Sequence, residues 1–176
     1  MAYFTFLSWA PVYFHDTFPR GEKKLFNTVP YVAAFVFANV CGYAGNRLVA
    51  NNVPTTFIRK LFASLNLLGI SMCSFLLTYV GSFEQALFIM TMTIGSHAFS
   101  VCSISLNSQD LAPKHAGALH GFINGSGALA GMLGNYVSGV ILKATQQWYL
   151  VFVLNSGMGF VGFLVFLLFG SAEQIV

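Results

Sequence analysis

Across residues 25–172 the charged side chains stand singly or in pairs, and long stretches between them carry none. Uncharged runs cover residues 25–46, 61–83, 85–109, 116–142 (His120 taken as neutral) and 144–172. A helix needs about 20 mostly apolar residues to cross the hydrocarbon core of a bilayer, so each run is long enough to span. Residues 1–14 are also apolar but too short for a comfortable crossing, and read as the tail of a spanning helix. Barrel strands would alternate apolar and polar residues at a period of two, and these runs do not. Lipid offers no partner to a free backbone N–H or C=O, so helices remain.

These runs predict helices at about 1–15, 25–46, 58–81, 84–109, 114–142 and 147–170. The fold class is an all-α membrane protein: a six-helix transmembrane bundle whose first helix is truncated. Residues 1–176 form one domain, with no linker and no low-complexity tract.

Composition excludes the main alternatives. Only 7% of the residues are charged and 56% are hydrophobic, with 19 Phe among 176 residues. An ordinary soluble domain is about 25% charged, and eight Lys/Arg with five Asp/Glu cannot cover a soluble surface of this size. The net charge of +3 is spread out, so no nucleic-acid footprint is present. Cys41, Cys73 and Cys102 are odd in number and sit in apolar runs, which argues against a disulfide framework or a metal site. No HExxH, GxSxG or Walker loop occurs, and no paired intramembrane acids. An enzyme is not expected, nor a cofactor. The opening MAYFTFLSWAPVYF has no basic leader region or small-residue cleavage site. It reads as an incomplete N-terminus or a first helix without a leader. Lys/Arg counts on the two faces tie, so charge alone does not orient the bundle.

The polar residues inside the runs narrow the function. Gly117, Gly121 and Gly125 recur every fourth residue, and Gly127 and Gly131 repeat that spacing. Small residues on one helix side let neighbouring helices approach closely in lipid, so this helix is expected to pack against neighbours along much of its length. Such glycines also permit helices to slide or rock. Asn124, in the same helix, is either an interhelical hydrogen bonder or a cargo contact on a water-filled cavity. Ser96, Ser100 and Ser103 follow i, i+4, i+7 and form one polar stripe. His97 is either a neutral core histidine or a titratable group beside a pathway. Asp110 and Pro113 mark a helix end. Asp110 either caps the next helix, pairs with a loop cation or couples protons.

The segment Asn107-Ser108-Gln109-Asp110-Leu111-Ala112-Pro113, followed by Ala116-Gly117, resembles the N-x-x-D-[I/L]-A-P-x-x-[A/S]-G element of the anion:cation symporter (solute carrier 17-type) family of the major facilitator superfamily. Thr55-Thr56-Phe57-Ile58-Arg59-Lys60 resembles that family's T-x-x-x-R-K entry into its ninth helix. Leu7-Ser8-Trp9-Ala10-Pro11 and Thr17-Phe18-Pro19 resemble the end of its seventh helix and the loop after it. Gln109–Pro113 with Gly127–Gly131 looks closest to the vesicular nucleotide transporters, with plant-type phosphate members next.

The resemblance implies the C-terminal half, helices seven to twelve, of a twelve-helix transporter. It implies a lipid bilayer, a missing N-terminal six-helix half and a small organic anion as partners. It places Arg47, Arg59 and Lys60 in a cytosolic loop. By similarity, Ser100, Ser103 and Asn124 line a central substrate pathway, with Tyr3 from the first helix, and Asn46, Arg47, Arg59, Lys60, Asp110 and Pro113 serve structure or gating. The family's G-x-x-x-D element reads Gly42-Tyr43-Ala44-Gly45-Asn46 here, so Asn46 replaces the acid and weakens any gating ion pair there. The expected function is transport of organic anions, nucleotides such as ATP foremost, into vesicles by membrane potential, with this chain a partial transporter. The alternatives are symport of phosphate, sialate or glutamate, or a truncated protein that only packs against other helices. A vesicular, lysosomal or plasma membrane is the implied location.

Overall fold

The computed structural model describes residues 2–19 and 25–173. Seven α-helices follow one another: α1 (Ala2–Thr17), α2 (Leu25–Ala50), α3 (Thr55–Leu76), α4 (Phe83–His97), α5 (Leu106–Leu111), α6 (Ala116–Thr145) and α7 (Trp148–Phe169). A π-turn at Val101–Ser105 joins α4 to α5, and Phe83–Leu111 runs on as one rod. Six rods therefore form the bundle, with no strand among the described residues. Of the charges in Phe83–Leu111, Glu84 and Asp110 stand at the two ends.

Local chemistry sets the rod ends. Asn52 takes a left-handed φ of 58° and turns the chain between α2 and α3, where Asn is among the few side chains that tolerate it. Pro54 precedes α3 in an extended conformation. The Ser82 hydroxyl accepts from the Gln85 N–H at the start of α4, and Glu84 lies in that first turn, where a negative charge meets the positive end of the helix dipole. Gln146 ends α6 in the left-handed region (φ 56°), its N–H donating to the Leu142 carbonyl at 2.8 Å. Pro113 opens the short 3-10 turn between α5 and α6.

Among the described residues four rods are long and apolar enough to cross a membrane: Thr28–Ala50, Thr55–Tyr79, Phe83–Leu111 and Trp148–Phe169. The span with the highest mean hydropathy, Trp148–Phe169, has only 22% of its most apolar stretch buried. Phe35, Phe122 and Phe169 are similarly exposed. A soluble protein does not leave so much apolar surface to water, whereas lipid covers it at no cost. With 30 residues, α6 is longer than a crossing needs but is not among the four. Its glycines, His120, Asn124, Ser126 and Asn135 make it less apolar than the length of its uncharged run suggests.

The bundle is organised around α3, which packs mainly on α7 and α4, while α2 lies on α4 and α6 leans on α1 and α5. Two cores result. Phe6, Tyr13 and Phe14 from α1 meet Ile70, Met90, Ile94 and Phe152 in the first. There the Tyr13 ring stands 5.0 Å from Phe152 and 5.4 Å from Trp148. The second joins Cys41, Ile58, Phe62 and Cys102. All three cysteines are free. Along α3, Asn66 falls between the two cores.

Two expectations need correction. The run 85–109 is not one regular α-helix, because the π-turn interrupts it. The glycine row of α6 does not pack along its length within this chain. A Cβ at Gly117, Gly121, Gly125 or Gly127 would meet nothing within 4 Å among the described residues. Only lower on α6 do glycines meet α1: Gly131 lies against Phe4, and Gly139 against Trp9. Close helix approach occurs instead at Gly69, where a Cβ would stand 2.6 Å from the Ser96 hydroxyl, and at Gly159 against Ser71. The periodicity marks a smooth helix side correctly, but cannot say whether its neighbour belongs to the same bundle.

Gly69→Ala should therefore destabilise the bundle by about 1–3 kcal/mol through overpacking. Gly125→Ala should be neutral or stabilising by up to about 1 kcal/mol, since alanine favours helix over glycine. Unfolding of the purified chain in detergent, monitored by circular dichroism, checks the contrast. Equal losses at both positions would contradict it.

Candidate functional site

A cleft of about 420 Å³ opens between α1, α3, the α4–α5 rod, α6 and α7. Its polar lining is Tyr3, Asn66, His97, Ser100, Ser105 and Asn124, and no Asp, Glu, Lys or Arg among the described residues lines it. Leu67, Ile70 and Met158 supply apolar wall. The Tyr3 and His97 rings stack with centroids 3.9 Å apart and planes 15° from parallel. This stack ties the first turn of α1 to the end of α4 and gives the cleft a flat aromatic side. Asn124 and His120 are linked through Nδ2 and Nε2 at 2.9 Å. Asn124 thus has a partner one turn away on its own helix, not on a neighbouring one. The cleft combines hydrogen-bonding groups, an aromatic face and apolar wall, which suits the uncharged part of a small organic molecule.

Of the residues expected on the pathway, Tyr3, Ser100, Asn124 and His97 meet at this cleft. Ser103 does not. It is fully buried and donates to the Phe99 carbonyl at 3.0 Å, with the Ser100 carbonyl at 3.3 Å. Ser96 likewise bonds back to the Met92 carbonyl at 2.7 Å and faces Gly69. The serine stripe is thus not a single wet face. The sequence placed neither Asn66 nor Ser105 on the pathway. Asn66 carries a signal, being an amide in the middle of the uncharged run 61–83.

A second constellation holds one end of the bundle. At the start of α3, Arg59 donates from Nε to Asp110 Oδ2 at 2.6 Å and from a terminal guanidinium nitrogen to the Cys102 carbonyl at 2.7 Å. A π-turn widens the helix and disturbs its ladder of backbone bonds, and Cys102 lies in that turn. The carboxylate and this carbonyl together hold the guanidinium, whose side chain is only 11% exposed. Asp110 thus pairs with a cation on α3, while α6, with His115 at its N-cap position, has no side-chain cap. Nearby, the Asn107 amide donates to the Ser171 carbonyl at 3.1 Å, and the Ala172 N–H donates to the Thr56 hydroxyl at 3.2 Å. The segment after α7 is thereby pinned to the same end. Asn46 and Arg47 are exposed at the end of α2, and Lys60 is half-buried. Among the described residues the ion pair is Arg59–Asp110, and the exposed His15 Nδ1 stands 3.4 Å from Asp16 Oδ1.

Apolar rods, a polar cleft inside the bundle and an ionic clamp at one end define a multi-pass helical membrane bundle. No family model matches the chain. Relatives are nevertheless clear. The chain is 34% identical over 174 residues, 99% of its length, to the voltage-gated purine nucleotide uniporter of Mus musculus, and covers 39% of that protein. It is 32% identical over 98% of its length to the chloroplastic sodium-dependent phosphate transport protein 1 of Arabidopsis thaliana, covering 34% of it. It is 33% identical over 98% of its length to the chloroplastic ascorbate transporter of the same plant, covering 32% of it. The chain belongs to the solute carrier 17-type family of the major facilitator superfamily and spans about two fifths or less of these relatives.

Removing either member of the Arg59–Asp110 pair leaves a poorly hydrated charge. Arg59→Ala and Asp110→Asn should each destabilise by about 2–4 kcal/mol, below the usual cost for a fully buried pair because the Asp110 side chain is 25% exposed. The double variant Arg59→Ala with Asp110→Asn should lose less than the two single losses together. Thermal unfolding in detergent measures this, and strict additivity would rule out the coupling.

Proposed function

We propose that this chain forms the C-terminal bundle of a secondary transporter of organic anions, with a nucleotide as cargo and membrane potential as driving force. The observation that carries this reading is the cleft where Tyr3, His97, Ser100 and Asn124 converge, in a chain similar to a purine nucleotide uniporter along 99% of its length. The cleft has hydrogen-bonding groups for a ring or sugar but no cation among its described lining to neutralise phosphates. The reading therefore assigns charge neutralisation to a second bundle of the whole protein. Transport rocks the two bundles about the cargo site. An inside-positive potential draws the anion in, each elementary charge gaining about 2.3 kcal/mol per 100 mV.

The open side of α6 at Gly117, Gly121 and Gly125 suits close contact with that second bundle. The Arg59–Asp110 clamp acts as structure at one mouth of the bundle. The membrane is that of a vesicle or another organelle, in line with the chloroplast relatives. A second reading, symport of phosphate or another organic anion, rests on those same relatives and uses the same bundle.

The test is ATP uptake by the full-length gene product in proteoliposomes under an imposed potential. Uptake should rise with inside-positive potential, and the 176-residue chain alone should give none. Ser100→Ala and Asn124→Ala should each raise KM roughly 3- to 10-fold, the worth of one hydrogen bond, whereas Ser103→Ala should leave it unchanged. Potential-independent uptake, or equal effects at Ser100 and Ser103, would contradict the reading. Phosphate uptake without nucleotide uptake would favour the second.

A further inference from the structure

Asn66 stands in the middle of α3 at 2% exposure. Its Oδ1 is buried without a hydrogen-bond partner, and its side chain lines the cleft. Asn107, Asn135 and Asn155 also leave Oδ1 unpaired, but each donates from Nδ2, to Ser171, Ser8 and Val151. Asn66 engages no group among the described residues through either end of its amide. Buried polar groups in folded proteins are nearly always paired, and each exception calls for an explanation. Packing does not demand an amide here, since Leu67 and Ile70 beside it fill the same wall with apolar side chains.

We propose that Asn66 is a specificity residue, whose amide pairs with the uncharged hydrogen-bonding ring of the organic anion while the charged groups are held elsewhere. This rests on the transport reading above and names the part of the cargo the cleft takes. An amide offers one acceptor and two donors, and pairs edge-on with a planar ring that presents one donor beside one acceptor, as a purine does. The Tyr3–His97 stack supplies a flat face on the same cleft, against which a ring can lie. The absence of Lys, Arg, Asp and Glu from the described lining means that this pocket recognises what is neutral in the cargo. Inorganic phosphate or polyphosphate has no such part and does not engage Asn66.

The experiment compares the full-length protein with its Asn66→Leu variant in proteoliposomes under an imposed potential. Uptake of ATP, sialate and inorganic phosphate is measured, along with inhibition by tripolyphosphate. The expected result is a KM for the organic cargo raised about tenfold, an unchanged tripolyphosphate inhibition constant, and a melting temperature equal to or above that of the parent. That last readout separates a ligand contact from a structural one, because leucine removes an unpaired amide from the interior. Equal shifts for organic cargo and tripolyphosphate, or no shift for either, overturn the proposal. If sialate, whose carboxylate lies outside a neutral ring, is carried and ATP is not, a selective shift in sialate KM supports Asn66 while the nucleotide reading fails. Transport of inorganic phosphate alone overturns both. Should Asn66→Leu fail to reach the membrane, Asn66→Gln keeps both amide groups but displaces them by a methylene, and the same split by cargo is required of it.

Discussion

The Arg59 guanidinium is the point on which one half of this bundle turns. In a lipid-covered protein a cation near a helix start must snorkel to water or find anionic and carbonyl partners. Arg59 does the latter, with the Asp110 carboxylate and the Cys102 carbonyl. Both partners lie on the Phe83–Leu111 rod, on either side of the π-turn's end. The pair thus fixes the register of α3 against that rod. It also keeps the π-turn in place above the core of Cys41, Ile58, Phe62 and Cys102. Thr56 and Asn107, near the pair in sequence, pin the segment after α7. Clamped at this end and packed on aromatic rings at the other, the bundle leaves its polar space in the middle.

That middle is where function is assigned. The rods supply the cleft with hydroxyls, amides and two stacked rings, and keep their charges at the ends. A half-site of this kind separates two tasks. On the transport reading proposed above, it recognises the neutral portion of an anion and leaves the electrostatic cost of carrying the charge to another part of the protein. The division is consistent with α6 exposing a bare glycine side: the helix that carries Asn124 to the cleft also presents a smooth outer surface.

Much of this was legible in the sequence because lipid imposes simple rules. Uncharged runs indicated the rods, but not all of their ends: Arg47, Arg59 and Lys60, expected in a loop, stand inside α2 and α3; the segment from Asn107 to Pro113 with the Thr55–Lys60 stretch identified the family. Side-chain direction was not legible to the same depth. Ser96, Ser100 and Ser103 share a helical periodicity, but the π-turn that begins at Val101 rotates the residues beyond it, and Ser103 ends inside the protein. The α6 glycines have the right spacing for packing, yet spacing does not say against what. Asp110 was one of several candidates for a structural role, and its partner lies 51 residues away on α3, a tertiary fact that no local pattern contains. Asn66 went unnoticed because a single amide in a long apolar run carries no motif.

On the proposed reading the cleft, and not the serine stripe, is the water-reachable cargo site. Thiol labelling tests it most directly. With Cys41, Cys73 and Cys102 replaced by alanine in the full-length protein, a single cysteine is introduced as Ser100→Cys or Ser103→Cys and exposed to a membrane-impermeant methanethiosulfonate reagent. The account predicts labelling at position 100 that ATP slows, and none at position 103. Equal labelling at the two positions, or labelling at position 100 that no anionic cargo slows, would contradict it.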